Sequence, residues 1–137
     1  MRRAGLFRGK LLGLRSYAVI DGKAVAKRIR TDMKEEISAL KAKNPSFRPH
    51  LAIVQVGARK DSSSYVGQKL KATKEVGMES TKIALEETVS EEELLKELRA
   101  LNEDPTVHGI IVQMPLPSHI DSTKVVDEVS FSKDVDG

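Results

Sequence analysis

The 137-residue chain contains no cysteine and no tryptophan, and aromatic residues make up only 4% of it. Without cysteine there is no disulfide scaffold and no thiolate-bound zinc. No apolar run approaches the roughly 18–20 residues that span a bilayer, so the sequence offers no membrane helix. The nine glycines are dispersed. Neither G-x-G-x-x-G nor G-x-x-x-x-G-K-[ST] occurs, so the chain carries no dinucleotide or P-loop fingerprint, and no G-x-S-x-G nucleophile elbow is present. What is plentiful is hydrophobic pattern: 39% apolar residues supply the core of one ordinary domain and argue against wholesale disorder.

Acid is missing from one place. Residues 1–20 hold Arg2, Arg3, Arg8, Lys10 and Arg15 and no Asp or Glu. The net charge of +3 comes from this segment: setting those five aside leaves 18 of the 23 Lys+Arg against all 20 Asp+Glu, a formal −2. A nucleic-acid-binding domain would keep its basic excess in the folded part, so DNA and RNA are not expected partners. An acid-free, arginine-rich N-terminus with Leu6, Leu11, Leu12 and Leu14 on one helical face reads as a mitochondrial transit peptide over residues 1–18, with the matrix as destination. A basic tail or surface helix is the plainer alternative.

The rest alternates helix and strand. From Asp21, apolar Val25, Ile29, Met33, Ile37 and Leu40 recur at helical spacing, and Asn44-Pro45 ends the run. Leu51–Val56 reads as a buried strand. Ser62–Val76 reads as a second helix, with Asp61 or Ser62 as N-cap and Gly77 at the C-cap. Thr81–Leu85 is a second strand. Ser90 with Glu93 forms a capping-box pattern ahead of Leu94, Leu95, Leu98 and Leu101. Gly109–Gln113 is a third strand, stopped by Pro115 and Pro117, and Ser122–Val129 a last short helix. This order predicts an α/β fold: a parallel sheet with helices on both faces, in three layers. No linker or internal repeat divides residues 21–137.

Three places invite chemistry. On the second helix, at about 100° per residue, Gln68, Lys71, Lys74 and Glu75 share the solvent side, while Tyr65, Val66, Lys69, Leu70, Ala72, Thr73 and Val76 share the inward arc. Lys69 lies near the middle of that arc. An ammonium there is costly unless paired, and burial makes a lysine a usable acid/base near neutral pH; a snorkelling lysine is the alternative. Gln113 ends a strand, where parallel sheets bind ligands, and its amide suits a heterocycle edge, although it could equally cap the strand. Lys133-Asp-Val-Asp-Gly137 could be an Asp-Gly turn, a metal ligand pair or a hydrogen-bonding site, the turn being the default. His50, His108 and His119 form no cluster in sequence, and His108 reads as structural.

Three ordered segments carry a resemblance. Asp61-Ser-Ser-Ser-Tyr65-Val-Gly-Gln-Lys69-Leu-Lys-Ala72, Gly109-Ile-Ile-Val-Gln113-Met-Pro-Leu-Pro117 and Lys133-Asp-Val-Asp-Gly137 resemble the bifunctional methylenetetrahydrofolate dehydrogenase/methenyltetrahydrofolate cyclohydrolases, in register from about Val19 to Gly137. The resemblance implies that residues 19–137 form the N-terminal, folate-binding catalytic half. It implies that Lys69 is the acid/base of the cyclohydrolase step, that Tyr65 packs on the folate, that Gln113 hydrogen-bonds Lys69 and tunes its charge, and that Asp136 holds the pterin edge. The stretches Tyr65, Val66, Gly67, Gln68, Lys69 and Val112, Gln113, Met114 would line the substrate, Met114 standing where the family usually has Leu.

By the same resemblance, hydride passes from methylenetetrahydrofolate to NAD or NADP, bound by a Rossmann domain expected beyond Gly137 that usually carries the homodimer contacts. Water then opens the methenyl cation to 10-formyltetrahydrofolate. The chain would by itself be no dehydrogenase. An inactive folate- or partner-binding module is the alternative; the substrate domain of an unrelated two-domain dehydrogenase is a weaker one.

Overall fold

The computed structural model describes residues 18–137, so the leader expected over residues 1–18 falls, apart from Ala18, outside the described residues. Helix α1 spans Gly22–Lys43, capped by the Asp21 carboxylate, which accepts the N–H groups of Lys23 and Ala24. Strand β1 is His50–Val56, helix α2 Lys60–Val76, strand β2 Glu79–Leu85, helix α3 Glu91–Glu103, strand β3 Gly109–Val112 and helix α4 Ser122–Glu128. The sheet is fully parallel in the order β2-β1-β3. Beyond β3 the chain returns once more: Ile110 donates its N–H to the Lys133 carbonyl at 2.8 Å and forms an isolated parallel bridge with Asp134.

β1 is the centre because its sequence is apolar on both faces. Ala52, Ile53 and Val54 are all 0% exposed. Leu51 and Ile53 pack with Val66 of α2 and Ile111 of β3. Ala52, Val54 and Val56 point the other way, onto Leu94 and Leu98 of α3 and Val125 of α4. The expected layering, with helices on both faces, therefore holds. Ser90 and Glu93 form both halves of the capping box at the start of α3. Gly77 ends α2 in the left-handed region at φ 83°, which disfavours a side chain.

Several expectations need correction. α2 starts two residues earlier than Ser62, and neither Asp61 nor Ser62 is its N-cap; Arg59 occupies the cap without a side-chain hydrogen bond. The Asp61 carboxylate is instead drawn to the Arg59 guanidinium. β3 stops at Val112, so Gln113 lies just past the strand. The apolar stripe of α1 exists, but no residue of α1 is buried, and Val25, Ile29, Met33 and Leu40 remain 39–52% exposed. The reason is geometric: α1 packs on α2, through Ile37 against Gly77 and the Lys41 ammonium on the Gly77 carbonyl at 2.6 Å, and not on the sheet.

The capping box gives a direct test. Ser90→Ala removes the acceptor for the Glu93 N–H and is expected to cost about 1 kcal/mol, read as a lower urea midpoint with unchanged slope; an unshifted midpoint would show that packing of Leu94 and Leu98 alone holds this helix end.

Candidate active site

The site forms where α2 passes the carboxyl ends of β1 and β3. The β1–β3 ladder runs one step past the strand, the Gln113 N–H donating to the Val54 carbonyl at 2.8 Å. This places the Gln113 side chain on the α2 side of the sheet. There the half-buried Lys69 ammonium donates to Gln113 Oε1 at 3.1 Å. Gln113 Nε2 donates to the Met114 carbonyl at 2.9 Å. A carbonyl can only accept, so this bond fixes which end of the amide is the nitrogen and turns the oxygen toward Lys69. The lysine and the amide are paired, so each side chain orients the other.

Asp136 reaches the same end of the sheet along the returning segment. The Ile110–Asp134 bridge is parallel, and two further residues bring Asp136 level with Val112. Asp136 lines a cavity of about 120 Å³ with Ile110, Val112, Met114, Val126 and Val129. Its carboxylate makes no hydrogen bond among the described residues, while its N–H donates to Asp134 Oδ1 at 3.0 Å.

The remaining expected site residues divide. Tyr65 is 58% exposed, not packed inward: it lies at the edge of the buried arc, beside the strand ends, and presents its ring to solvent. Gly67 and Gln68 are exposed. Val66 and Val112 are buried, at 1% and 7% exposed, with side chains in the two halves of the core; of the two, Val112 also lines the Asp136 cavity. Met114 is half-buried against the α3–α4 side of the core.

The sequence reading held Asp134 only as one acid of a turn, metal pair or hydrogen-bonding site; its carboxylate bonds the backbone two residues on, as a turn does. The sequence reading missed the buried Gln55, the polar residue in the run Leu51–Val56, whose Nε2 donates to Ser63 Oγ at 3.0 Å. Lys133, part of the third motif, puts its ammonium on the Leu101 and Asp104 carbonyls at the end of α3, at 2.9 and 2.6 Å. That anchors the segment to which Asp136 belongs.

Phosphates bind α/β sheets at helix N-termini following the strands. Here those ends carry acid: Asp61 in the first turn of α2, Glu91, Glu92 and Glu93 in that of α3, and Asp121 capping α4. The Asp61 carboxylate takes the Ser62 N–H at 2.8 Å and the Arg59 guanidinium through two nitrogens, at 3.1 and 2.8 Å. The described residues therefore do not fit the pyrophosphate of a dinucleotide.

A three-layer parallel α/β domain with a lysine–amide pair at the strand ends on the α2 face, and an exposed carboxylate at the same end of the sheet lining a cavity on the α3–α4 face, has the form of a small-molecule catalytic domain. Residues 20–136 match the family model described as tetrahydrofolate dehydrogenase/cyclohydrolase, catalytic domain, and the chain belongs to that family. It is 51% identical over 119 residues to bifunctional protein FolD 4, chloroplastic, of Arabidopsis thaliana, covering 87% of this chain and 33% of that one. It is 45% identical over 121 residues to the mitochondrial C-1-tetrahydrofolate synthase of Saccharomyces cerevisiae, covering 88% and 12%. Among solved structures it superposes with a TM-score of 0.83 on the Trypanosoma brucei N5,N10-methylenetetrahydrofolate dehydrogenase-cyclohydrolase, solved with NADP cofactor and inhibitor, at 39% identity and covering 87% of this chain and 40% of that one. The chain thus spans between 12% and 41% of the length of the curated relatives it matches.

The Asp61 pair yields a pH prediction. The hydrogen bond from Arg59, then that from the Ser62 N–H, hold the Asp61 carboxyl at about 2, below its ordinary 3.8. Its contribution to stability is complete above the ordinary value and fades as pH falls through about 2. A carbon-detected titration of Asp61 should show the low midpoint in the native chain and a rise toward the ordinary value in Arg59→Ala; identical midpoints would show that the guanidinium is not the cause.

Proposed function

We propose that this chain supplies the folate site and the cyclohydrolase lysine of a bifunctional methylenetetrahydrofolate dehydrogenase/methenyltetrahydrofolate cyclohydrolase of one-carbon metabolism. The observation that carries the reading is the Lys69–Gln113 hydrogen bond at 3.1 Å, at the carboxyl ends of the strands. In the cyclohydrolase step water adds to the methenyl carbon of the cationic ring. The new C–O bond forms as Lys69 Nζ takes a proton from that water. Nζ then returns a proton to the departing ring nitrogen as the C–N bond breaks, and the hydroxyl proton leaves to solvent as the formyl carbonyl forms. One water enters and one net proton is released. Gln113 Oε1 holds Nζ in place while its other valences face the ring. Asp136 offers two free acceptor oxygens to the N–H groups along the pterin edge, and the exposed Tyr65 ring offers a face for stacking.

The reading assigns hydride transfer to NAD or NADP held by residues outside this domain, because the acid-bearing helix ends do not fit a dinucleotide. No step of that transfer is derived from these residues. It further assigns the protein to the mitochondrial matrix as a homodimer; the acid-free, arginine-rich sequence of residues 1–20 and the mitochondrial relative support the compartment, though relatives are also chloroplastic and cytoplasmic. One observation favours the alternative of a folate-binding module without turnover: the Tyr65 side of the site is open to solvent, where a catalytic cleft excludes water.

Decay of the methenyl absorbance in the presence of the purified chain separates these readings. Weak hydrolysis is expected from the native chain, and Lys69→Met should lower it by about 100-fold or more while leaving reduced-folate binding in place. Equal rates in the two proteins would remove Lys69 from the chemistry. Binding with no hydrolysis in either would favour the module.

A further inference from the structure

The Asp136 side chain, proposed to hold the pterin, is exposed and makes no hydrogen bond among the described residues, so its placement depends on the backbone that carries it. The returning segment is seated at three points before it reaches Asp136. The Lys133 ammonium sits on the carbonyls at the end of α3. The Asp134 N–H donates to the Ser130 carbonyl at 2.9 Å. Val135 lies against Gly109 so closely that a Cβ there would stand 3.0 Å from Val135 Cγ1. The last link is Asp134 itself. Its Oδ1 accepts the N–H of Asp136 at 3.0 Å and that of Gly137 at 3.2 Å. One carboxylate oxygen thereby fixes the backbone on both sides of the Asp136 α-carbon.

We infer that Asp134 is a positioning residue for substrate recognition: through its Oδ1 it holds the Asp136 backbone so that the Asp136 carboxylate faces the donor edge of a reduced pterin. The inference rests on the folate reading above. It is specific about mechanism. Asp134 acts as a hydrogen-bond acceptor of fixed length, not as a charge and not as a ligand of the substrate. An asparagine presents an oxygen at the same place without the charge. A glutamate keeps the charge but moves the acceptor outward by one methylene.

The test is equilibrium binding of 5-formyltetrahydrofolate, a stable reduced folate, to the native chain and to Asp134→Ala, Asp134→Asn, Asp134→Glu and Asp136→Ala, with a urea midpoint for each. Loss of two backbone hydrogen bonds should weaken binding by about tenfold in Asp134→Ala and Asp134→Glu, with Asp134→Asn within about twofold of native. If Asp134→Ala does not fold, Asp134→Glu against Asp134→Asn carries the comparison. Native affinity in Asp134→Glu, or an Asp134→Asn as weak as Asp134→Glu, overturns the inference. If Asp136→Ala weakens binding while the Asp134 variants bind as the native chain does, the folate reading stands and only this inference fails. If the native chain does not bind, or Asp136→Ala binds equally well, both fall.

Discussion

The Gln113 N–H donates to the Val54 carbonyl at 2.8 Å, and the position of the site follows from that one backbone bond. It prolongs the parallel β1–β3 ladder past the end of β3, so the first residue outside the strand is still placed by sheet geometry. Side chains alternate along an extended chain. Gln113 therefore points to the face that Ile111 shares with Val66 and Ile53, the face covered by α2. A slip of one residue in this register would send the amide to the α3–α4 side and leave Lys69 facing nothing polar. The register is in turn held by the fully buried Ala52, Ile53 and Val54, which leave β1 no second way to sit between its neighbours.

Three half-buried lysines show how the same residue type serves different ends. Lys41 and Lys133 place their ammoniums on carbonyls at the ends of α2 and α3, where the helix dipole favours a cation. Those contacts hold elements together. Lys69 meets a neutral amide oxygen instead. An amide orients Nζ by a hydrogen bond without the ion pair that a carboxylate would make. The choice of partner separates a lysine held at the strand ends from those that brace the fold.

Much of this was legible in the sequence, and the exceptions share a cause. Periodicity identified α1, α3 and the central strand, and the Ser90–Glu93 box and Gly77 marked helix ends, because each is a local signal read by local geometry. The inward arc of α2 was right at Val66, Lys69, Thr73 and Val76, which lie over the sheet. It was wrong at Tyr65, which is 58% exposed, since a helical wheel cannot show how far the covering elements reach. The stripe on α1 failed in the same way: spacing says which residues share a face, not what covers it. Asp61 reads as a cap by residue type, yet Arg59 two positions earlier competes for its carboxylate. The pairing of Lys69 with Gln113 came from resemblance, because 44 residues of chain separate them.

The charge on the working face constrains what it can hold. The helix ends that follow the three strands carry Asp61, Glu91, Glu92, Glu93 and Asp121, and the returning segment adds Asp134 and Asp136. Gln113 contributes a neutral amide on the α2 face, and the exposed Asp136 a carboxylate that makes no hydrogen bond among the described residues. Arg59 and Lys124 pair with Asp61 and Glu91, but Asp61, Ser90 and Asp121 already take N–H groups at these helix ends that a phosphate would need. On the folate proposal, the cationic methenyl ring and the donor-bearing pterin edge suit acceptor groups of this kind, and a dinucleotide's phosphates would need a surface other than these helix ends.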